Sequence, residues 1–363
     1  LAVLIQIGGL GVTSISAGVI LAMGRRVNLK GRMLIRESMN LDADRGLIGF
    51  VYTVFKATLL IELIGAALSF IVFIQDYSLF RAIGVSLFHS VASFNNAGFD
   101  IFGGGQSMVP YADNIFLNII TCVLIFFGGI GFLVIQELWQ KKCQWKKLSM
   151  HTKVVLSVSL ALIIIGTLLI KLTEPVSWLC ALFHSVSTRT AGFASRPIGD
   201  FGAPALLVMI VLMFIGASSG STGGGIKITS VAVIFMMVYS VIRGDEDTLI
   251  FGRRVEKSAV YKSFAVMILG VLAVTITAGA IVATMRETHA VAGVDALLES
   301  VSAFATVGLS AGISAQANAL CLLLLIFSMY IGRLGPVSFF LSLAARSTHK
   351  RRLIVPEGKI QIG

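Results

Sequence analysis

The chain has 363 residues, 56% of them hydrophobic and 13% charged, with a mean hydropathy of +0.91 and a formal net charge of +11. Soluble domains carry about 25% charged residues, so a soluble enzyme is excluded and a polytopic membrane protein is expected. The basic balance would also suit nucleic acid, but the cations cluster at the ends of apolar runs, where they act as a topology signal.

Crossing about 30 Å of hydrocarbon takes about 20 apolar residues. Spans are predicted in chain order at 1–23, 46–74, 113–139, 153–172, 204–243, 262–285 and 318–344. The first residue, Leu1, already lies inside an apolar run, and the chain reads as truncated at its start. The fifth span is too long for one straight helix and is interrupted by Gly216-Ala217-Ser218-Ser219-Gly220-Ser221-Thr222-Gly223-Gly224-Gly225. Cys122, Cys143, Cys180 and Cys321 have no paired spacing and read as packing residues.

Three loops between spans share one pattern. A short, mostly apolar segment runs into a tripeptide ending in glycine: Asn96-Ala97-Gly98, Thr190-Ala191-Gly192 and Thr306-Val307-Gly308. Each segment is too short to span and suits a half-helix that dips into the membrane and returns. Glycine at a fixed place allows dihedrals closed to other residues. Several such turns could then aim backbone carbonyls at one point and replace the hydration shell of a cation. His89, His184 and Glu299 occupy matching positions on separate short segments, so they are read as hydrogen-bonding anchors and not as metal ligands.

The span after each loop carries a small-residue cluster: Gly128-Gly129-Ile130-Gly131, Gly216-Ala217-Ser218 and Gly332-Arg333-Leu334-Gly335-Pro336. The first glycine of each cluster follows the loop glycine by 30, 24 and 24 residues. Ile7-Gly8-Gly9-Leu10-Gly11 matches the first of these, which makes 1–45 the second span of a first unit plus a cytoplasmic loop. Residues 46–152 are then a second unit, 153–261 a third with an intramembrane loop at 216–227, 262–345 a fourth, and 346–363 a cytoplasmic tail. The fold class expected is all-α integral membrane, with tandem span–re-entrant loop–span repeats around a single pore.

Lys and Arg orient the chain. One side collects Arg25, Arg26, Lys30, Arg32, Arg36 and Arg45, Lys141 to Lys153, Arg243 to Lys262, and Arg346 to Lys359. The other has Arg81, Lys171, Arg189, Arg196 and Arg286, so the basic side and the C-terminus are cytoplasmic and the loops face out. Irregular backbone at membrane depth is tolerated where it lines water or packs in protein. Gly216 to Gly225, with Ser218, Ser219, Gly220, Ser221, Thr222, Gly223 and Gly224, is therefore read as a flap across the inner pathway. Lys227 and Arg333 are intramembrane cations placed to meet it. Lys56 and Glu62 are read as structural. Gly216-Ala217-Ser218-Ser219-Gly220 also fits the G-x-S-x-G pattern of a serine hydrolase, a competing reading, although no strand precedes it. A carrier built of inverted repeats is disfavoured, because all the loops enter from one side.

With these residues assembled, the chain resembles the potassium-translocating subunits of the Trk/Ktr/HKT superfamily, and its KtrB branch in particular. The resemblance rests on Ser93 to Phe99, Ser187 to Phe193, Ala303 to Ser310, the Gly216–Lys227 run, Gly332-Arg333 and the ending Pro356 to Gly363. It implies four units around one pore in a homodimer at the bacterial plasma membrane, with a cytosolic ring of KtrA-like, RCK-type regulators. It further implies potassium uptake, often stimulated by sodium, with ATP or ADP on the regulator only. The potassium filter would be the nine tripeptide residues and the gate Gly216 to Gly225 with Lys227 and Arg333. A TrkH-type or sodium-conducting relative of the same fold is the alternative.

Overall fold

The computed structural model describes residues 1–11, 47–285 and 292–335. Its helices are α1 (Ala2–Leu10), α2 (Leu47–Phe73), α3 (Leu79–Phe94), α4 (Ile115–Ile130), α5 (Phe132–Gln140), α6 (Met150–Thr173) and α7 (Trp178–Ser187). They continue with α8 (Ala203–Phe214), α9 (Ile228–Arg243), α10 (Lys257–Met285), α11 (Gly293–Phe304), α12 (Ile313–Gln316) and α13 (Ala319–Leu334). A two-residue antiparallel ladder, β1 (Leu249–Ile250) with β2 (Arg253–Arg254), links α9 to α10.

The long helices expose apolar side chains, and polar ones are buried beside an apolar core. Leu59, Leu63, Ile164, Leu168, Ile268 and Ile276 are exposed on the long helices, while Ser90, Ser93, Ser185, Ser187, Thr190 and Ser300 are buried. An apolar exterior with polar groups gathered inside is what a hydrocarbon solvent selects. By length and composition α2, α6 and α10 can each cross a membrane, and α4 with α5 forms a further candidate bent by 98°. That bend, at Gly131, divides the predicted 113–139 span. The predicted 204–243 span is two helices, α8 and α9, separated where the Gly/Ser run lies. Of the 1–23 and 318–344 spans, 12–23 and 336–344 lie outside the described residues, as does the C-terminal tail.

Three sets of helices repeat one geometry: α2–α3–α4, α6–α7–α8 and α10–α11–α13, each a long helix, a short helix ending in a glycine turn, and a second helix. We refer to them by the short helix, as the α3, α7 and α11 units. A buried serine pins each short helix to the long helix before it. Ser90 Oγ donates to Glu62 O at 2.6 Å, Ser185 Oγ to Ile163 O at 2.9 Å, and Ser300 Oγ to Val274 O at 2.7 Å. Side-chain caps begin α4 and α13: Asn114 Oδ1 accepts from Leu117 N at 3.0 Å and Asn318 Oδ1 from Cys321 N at 2.8 Å.

The ends of those helices repeat as well. α4 stops at Gly131 (φ 92, ψ 148) and α13 at Gly335 (φ 87, ψ 131). α1 stops at Gly11 with φ 82 and ψ 136, the same backbone conformation. α8 departs from the pattern, ending at Ile215 with φ −82 and leading into the irregular 216–227 segment.

Candidate functional site

The three glycine turns meet. In each, two residues with one between them take left-handed dihedrals: Asn96 and Gly98 (φ 51 and 55), Thr190 and Gly192 (75 and 80), Thr306 and Gly308 (53 and 95). Left-handed backbone is rare for a β-branched residue such as threonine, so its recurrence at one position marks an imposed geometry. The amide of the residue between them points back into its own short helix: Ala97 N to Ala92 O at 2.9 Å, Ala191 N to Ser187 O at 2.9 Å, Val307 N to Ser302 O at 2.8 Å. Among the described residues, no hydrogen bond is accepted by the carbonyls of the six residues 96, 97, 190, 191, 306 and 307.

The turns are also packed edge to edge. A Cβ on Gly98 would overlap Ala191 O and lie 2.8 Å from Gly192 C, and one on Gly192 would overlap Val307 O. Asn96 and Thr190 join two of the turns through amide and hydroxyl, 3.0 Å apart. Gly308 faces open space on its far side. There a cavity of 670 Å³ lies between the turns and α1, lined by Gly8, Asn96, Thr222, Thr306, Gly308 and Arg333 among others.

The anchor positions behave as hydrogen-bonding groups. His89 Nε2 lies 2.9 Å from Thr121 Oγ1 on α4, and His184 Nδ1 lies 3.0 Å from Cys180 O. Glu299 accepts from Ser310 and from Ser314 Oγ, the latter at 2.9 Å. No cluster of metal-ligating side chains occurs among the described residues. On the loop side, Met108 N donates to Ala194 O at 2.9 Å, laying the loop of the α3 unit over the α7 turn. In that loop Tyr111 Oη donates to Asp76 Oδ2 at 2.8 Å, and burial, with the Asp76 carboxylate beside it, pushes the phenol up.

Residues 216–227 form a closed loop directly against the turns. Its ends pair through Gly216 N to Ile226 O at 2.9 Å and Ile228 N to Ala217 O at 3.2 Å. Three consecutive residues touch three successive units. Thr222 Oγ1 donates to Gly128 O at 3.1 Å and Phe94 O at 3.3 Å, while a Cβ on Gly223 would overlap Thr190 Oγ1 and one on Gly224 would overlap Thr306 Oγ1. Two cations close over the same stretch. Arg333 Nη1 donates to Thr222 O and its Nη2 to Gly8 O at 2.6 Å, and Lys227 Nζ donates to Gly223 O at 2.8 Å. The loop is tied to α5 too, with Phe132 N donating to Gly220 O at 3.0 Å. The serine hydroxyls are used locally: Ser221 Oγ donates to Ser218 O at 2.6 Å, Ser218 Oγ to Ser219 O, and Ser219 Oγ meets Thr229 Oγ1.

Four features were not legible as site residues in the sequence. Ser90, Ser185 and Ser300 form one set; alignment of the short segments on their turns would have placed them in register. Asn95 donates to Gln6 Oε1 at 3.0 Å and to Glu62 Oε1 at 2.9 Å, joining α1, α2 and the α3 turn. Arg189, counted with the outer loops, is instead buried behind its turn, its guanidinium on Ser159. Gly131 sets the bend between α4 and α5.

Apolar-faced helices enclosing convergent turns are the features of a polytopic α-helical membrane protein. The chain belongs to the TrkH cation transport protein family, whose model it matches over residues 1–176 and 152–350. It is 35% identical over 361 residues to the Ktr system potassium uptake protein B of Vibrio alginolyticus, covering 94% of this chain and 76% of that protein. Its namesake from Bacillus subtilis is 32% identical, covering 99% and 82%. The potassium/sodium uptake protein NtpJ of Enterococcus hirae is 30% identical, again covering 99% and 82%. In fold the chain is similar to the crystal structure of the potassium transporter TrkH from Vibrio parahaemolyticus, with a TM-score of 0.68 at 18% identity, covering 86% of this chain and 68% of that one.

Proposed function

We propose that the chain takes up potassium across a bacterial plasma membrane, through a filter formed by the carbonyls of Asn96, Ala97 and Gly98, Thr190, Ala191 and Gly192, and Thr306, Val307 and Gly308. The observation that carries this reading is the packing of the three turns against one another, with left-handed residues at the same two places in each. A cation leaving water needs several aligned oxygens, and carbonyls held this way supply them without the trapping that full charges would cause. The short helices α3, α7 and α11 aim their partly negative C-terminal ends at the same point, which favours a cation further. Related proteins named for potassium uptake, at 35% and 32% identity, support the choice of ion.

In this reading each helix–turn–helix set is one repeat, at 46–152, 153–261 and 262–345, and α1 is the second span of a further repeat. The open side of the ring, between Gly308 and α1, has room for a fourth turn. Loop 216–227 is the gate, and Lys227 and Arg333 hold it closed. The loops face outward and the C-terminal tail lies in the cytoplasm. The subunit works as a homodimer on a nucleotide-binding RCK-type ring, and sodium stimulates it; the system names of the relatives support a multicomponent assembly.

The test is potassium and sodium flux into vesicles carrying the full-length protein, wild type against Gly192→Ser. Lost potassium flux or gained sodium flux in the variant is expected. An unchanged potassium-to-sodium ratio would remove this turn from the ion path.

A further inference from the structure

The position just before the first left-handed residue of each turn is occupied differently in the three units: Asn95, Arg189 and Ala305. Asn95 is neutral and lies beside the Glu62 carboxylate, and Ala305 sends no side chain outward. Arg189 is 6% exposed and reaches away from its turn into α6, with Nη1 donating to Ser159 O at 3.2 Å and Nη2 to Ser159 Oγ at 3.1 Å. Its Nε is buried without a hydrogen-bond partner, and no carboxylate pairs with it among the described residues. The crevice against it, lined by Ile125, Phe126, Gly129, Ile163 and Val186, measures 10 Å³. That is about the space of one water and too small for a hydrated anion. A guanidinium does not deprotonate in proteins, so a positive charge with no carboxylate against it among the described residues stands behind one turn of the three.

The charge also sits at a telling place on its helix. The C-terminal end of a helix carries roughly half a negative elementary charge. At α3 and α11 that partial charge favours a cation at the turns, while at α7 Arg189 offsets it. Conduction needs binding weak enough for the ion to leave, and a fixed cation beside a ring of carbonyls weakens it. The penalty grows with the charge of the ion.

We propose that Arg189 is a specificity-determining residue, a fixed positive charge behind the α7 turn that lowers cation occupancy there and excludes divalent cations. This rests on the reading of the turns as the ion path. For a charge on the order of 10 Å from an ion at an effective dielectric constant of about 20, Coulomb's law gives about a tenfold change in affinity for a monovalent cation and about the square of that for a divalent one.

The experiment measures potassium uptake and its inhibition by barium in vesicles carrying the full-length protein, for wild type, Arg189→Gln, Arg189→Lys, Ser159→Asp and Gly192→Ser. In Arg189→Gln the half-saturating potassium concentration is expected to fall about tenfold and the inhibiting barium concentration about a hundredfold. Ser159→Asp places a carboxylate against the intact guanidinium and is expected to shift both in the same direction, whereas Arg189→Lys stays near wild type. Unchanged barium inhibition in a folded Arg189→Gln or Ser159→Asp protein overturns the proposal. So does an Arg189→Lys shift as large as that of Arg189→Gln, which would assign the effect to hydrogen-bond geometry and not to charge. A normal potassium-to-sodium ratio in Gly192→Ser would sink the ion-path reading itself. An altered ratio there, with barium inhibition unmoved by Arg189→Gln, sinks only the role of Arg189.

Discussion

Thr190 Oγ1 and the side-chain amide of Asn96 lie 3.0 Å apart, and this buried contact joins the α7 turn to the α3 turn. Both residues are left-handed, and holding a β-branched residue there costs about 1–3 kcal/mol unless its surroundings fix it. The hydrogen bond is part of what fixes it. Thr190→Val keeps the shape but leaves the buried amide one partner short, a cost of about 1–3 kcal/mol. The expected outcome is about a tenfold loss of discrimination between potassium and sodium, with Thr190→Ser near wild type. Competition of sodium against rubidium uptake measures it, and equal discrimination in the valine and serine variants would show that the contact does not shape the turns.

The clamp on the loop leads to a second expectation. Lys227 and Arg333 donate to adjacent carbonyls, Gly223 O and Thr222 O, so both hold the same short stretch against the turns. Hydrogen bonds from charged donors contribute about 1.5–3 kcal/mol each, and about 1.4 kcal/mol is a factor of ten in an equilibrium. Arg333→Ala and Lys227→Met are each expected to raise the initial rate of potassium uptake, by up to about tenfold if opening limits the rate. The double variant should gain less than the product of the two, because they act on one loop. Uptake in vesicles at saturating potassium decides the matter; rates at or below wild type in both single variants would mean that the loop does not obstruct the path.

How much of this could be read in advance follows from what each feature leaves in the sequence. The convergent turns announced themselves because a tripeptide ending in glycine recurs at Asn96-Ala97-Gly98, Thr190-Ala191-Gly192 and Thr306-Val307-Gly308. The break in the predicted 204–243 span was equally plain, since ten residues of Gly, Ser, Ala and Thr cannot continue a membrane helix. The bend at Gly131 was hidden, because hydropathy runs on through Ile130-Gly131-Phe132 and carries no information about a φ of 92. The burial of Arg189 was hidden for a related reason: counting cations by loop cannot see that a side chain folds back onto Ser159. The serine set left only its register, Ser90, Ser185 and Ser300 each following an anchor position, and its role stayed hidden because each partner is a backbone carbonyl far away in the chain.

That serine set gives the last prediction. Gly65 and Gly166 lie three residues beyond the carbonyls that accept from Ser90 and Ser185, and a Cβ on either would sit 2.5 Å from the serine oxygen. The same Cβ would lie 2.7 Å from Leu124 Cδ2 or Leu212 Cδ1, so in these two units glycine is what lets the long helix sit this close; in the third, Thr277 takes that place. Ser90→Ala and Ser185→Ala each remove one buried hydrogen bond and are expected to destabilise by about 1 kcal/mol. Gly65→Ala and Gly166→Ala push the serine hydroxyl and the leucine methyls from their positions, an overpacking cost of about 1 kcal/mol, at the low end of such changes. Combining Gly65→Ala with Ser90→Ala removes one of the two clashes and should therefore cost less than the sum of the single changes. Thermal unfolding of the purified protein in detergent measures each value. If the Gly65→Ala and Ser90→Ala costs simply add, the serine and glycine do not form one contact, and the short helices are held in place by something else.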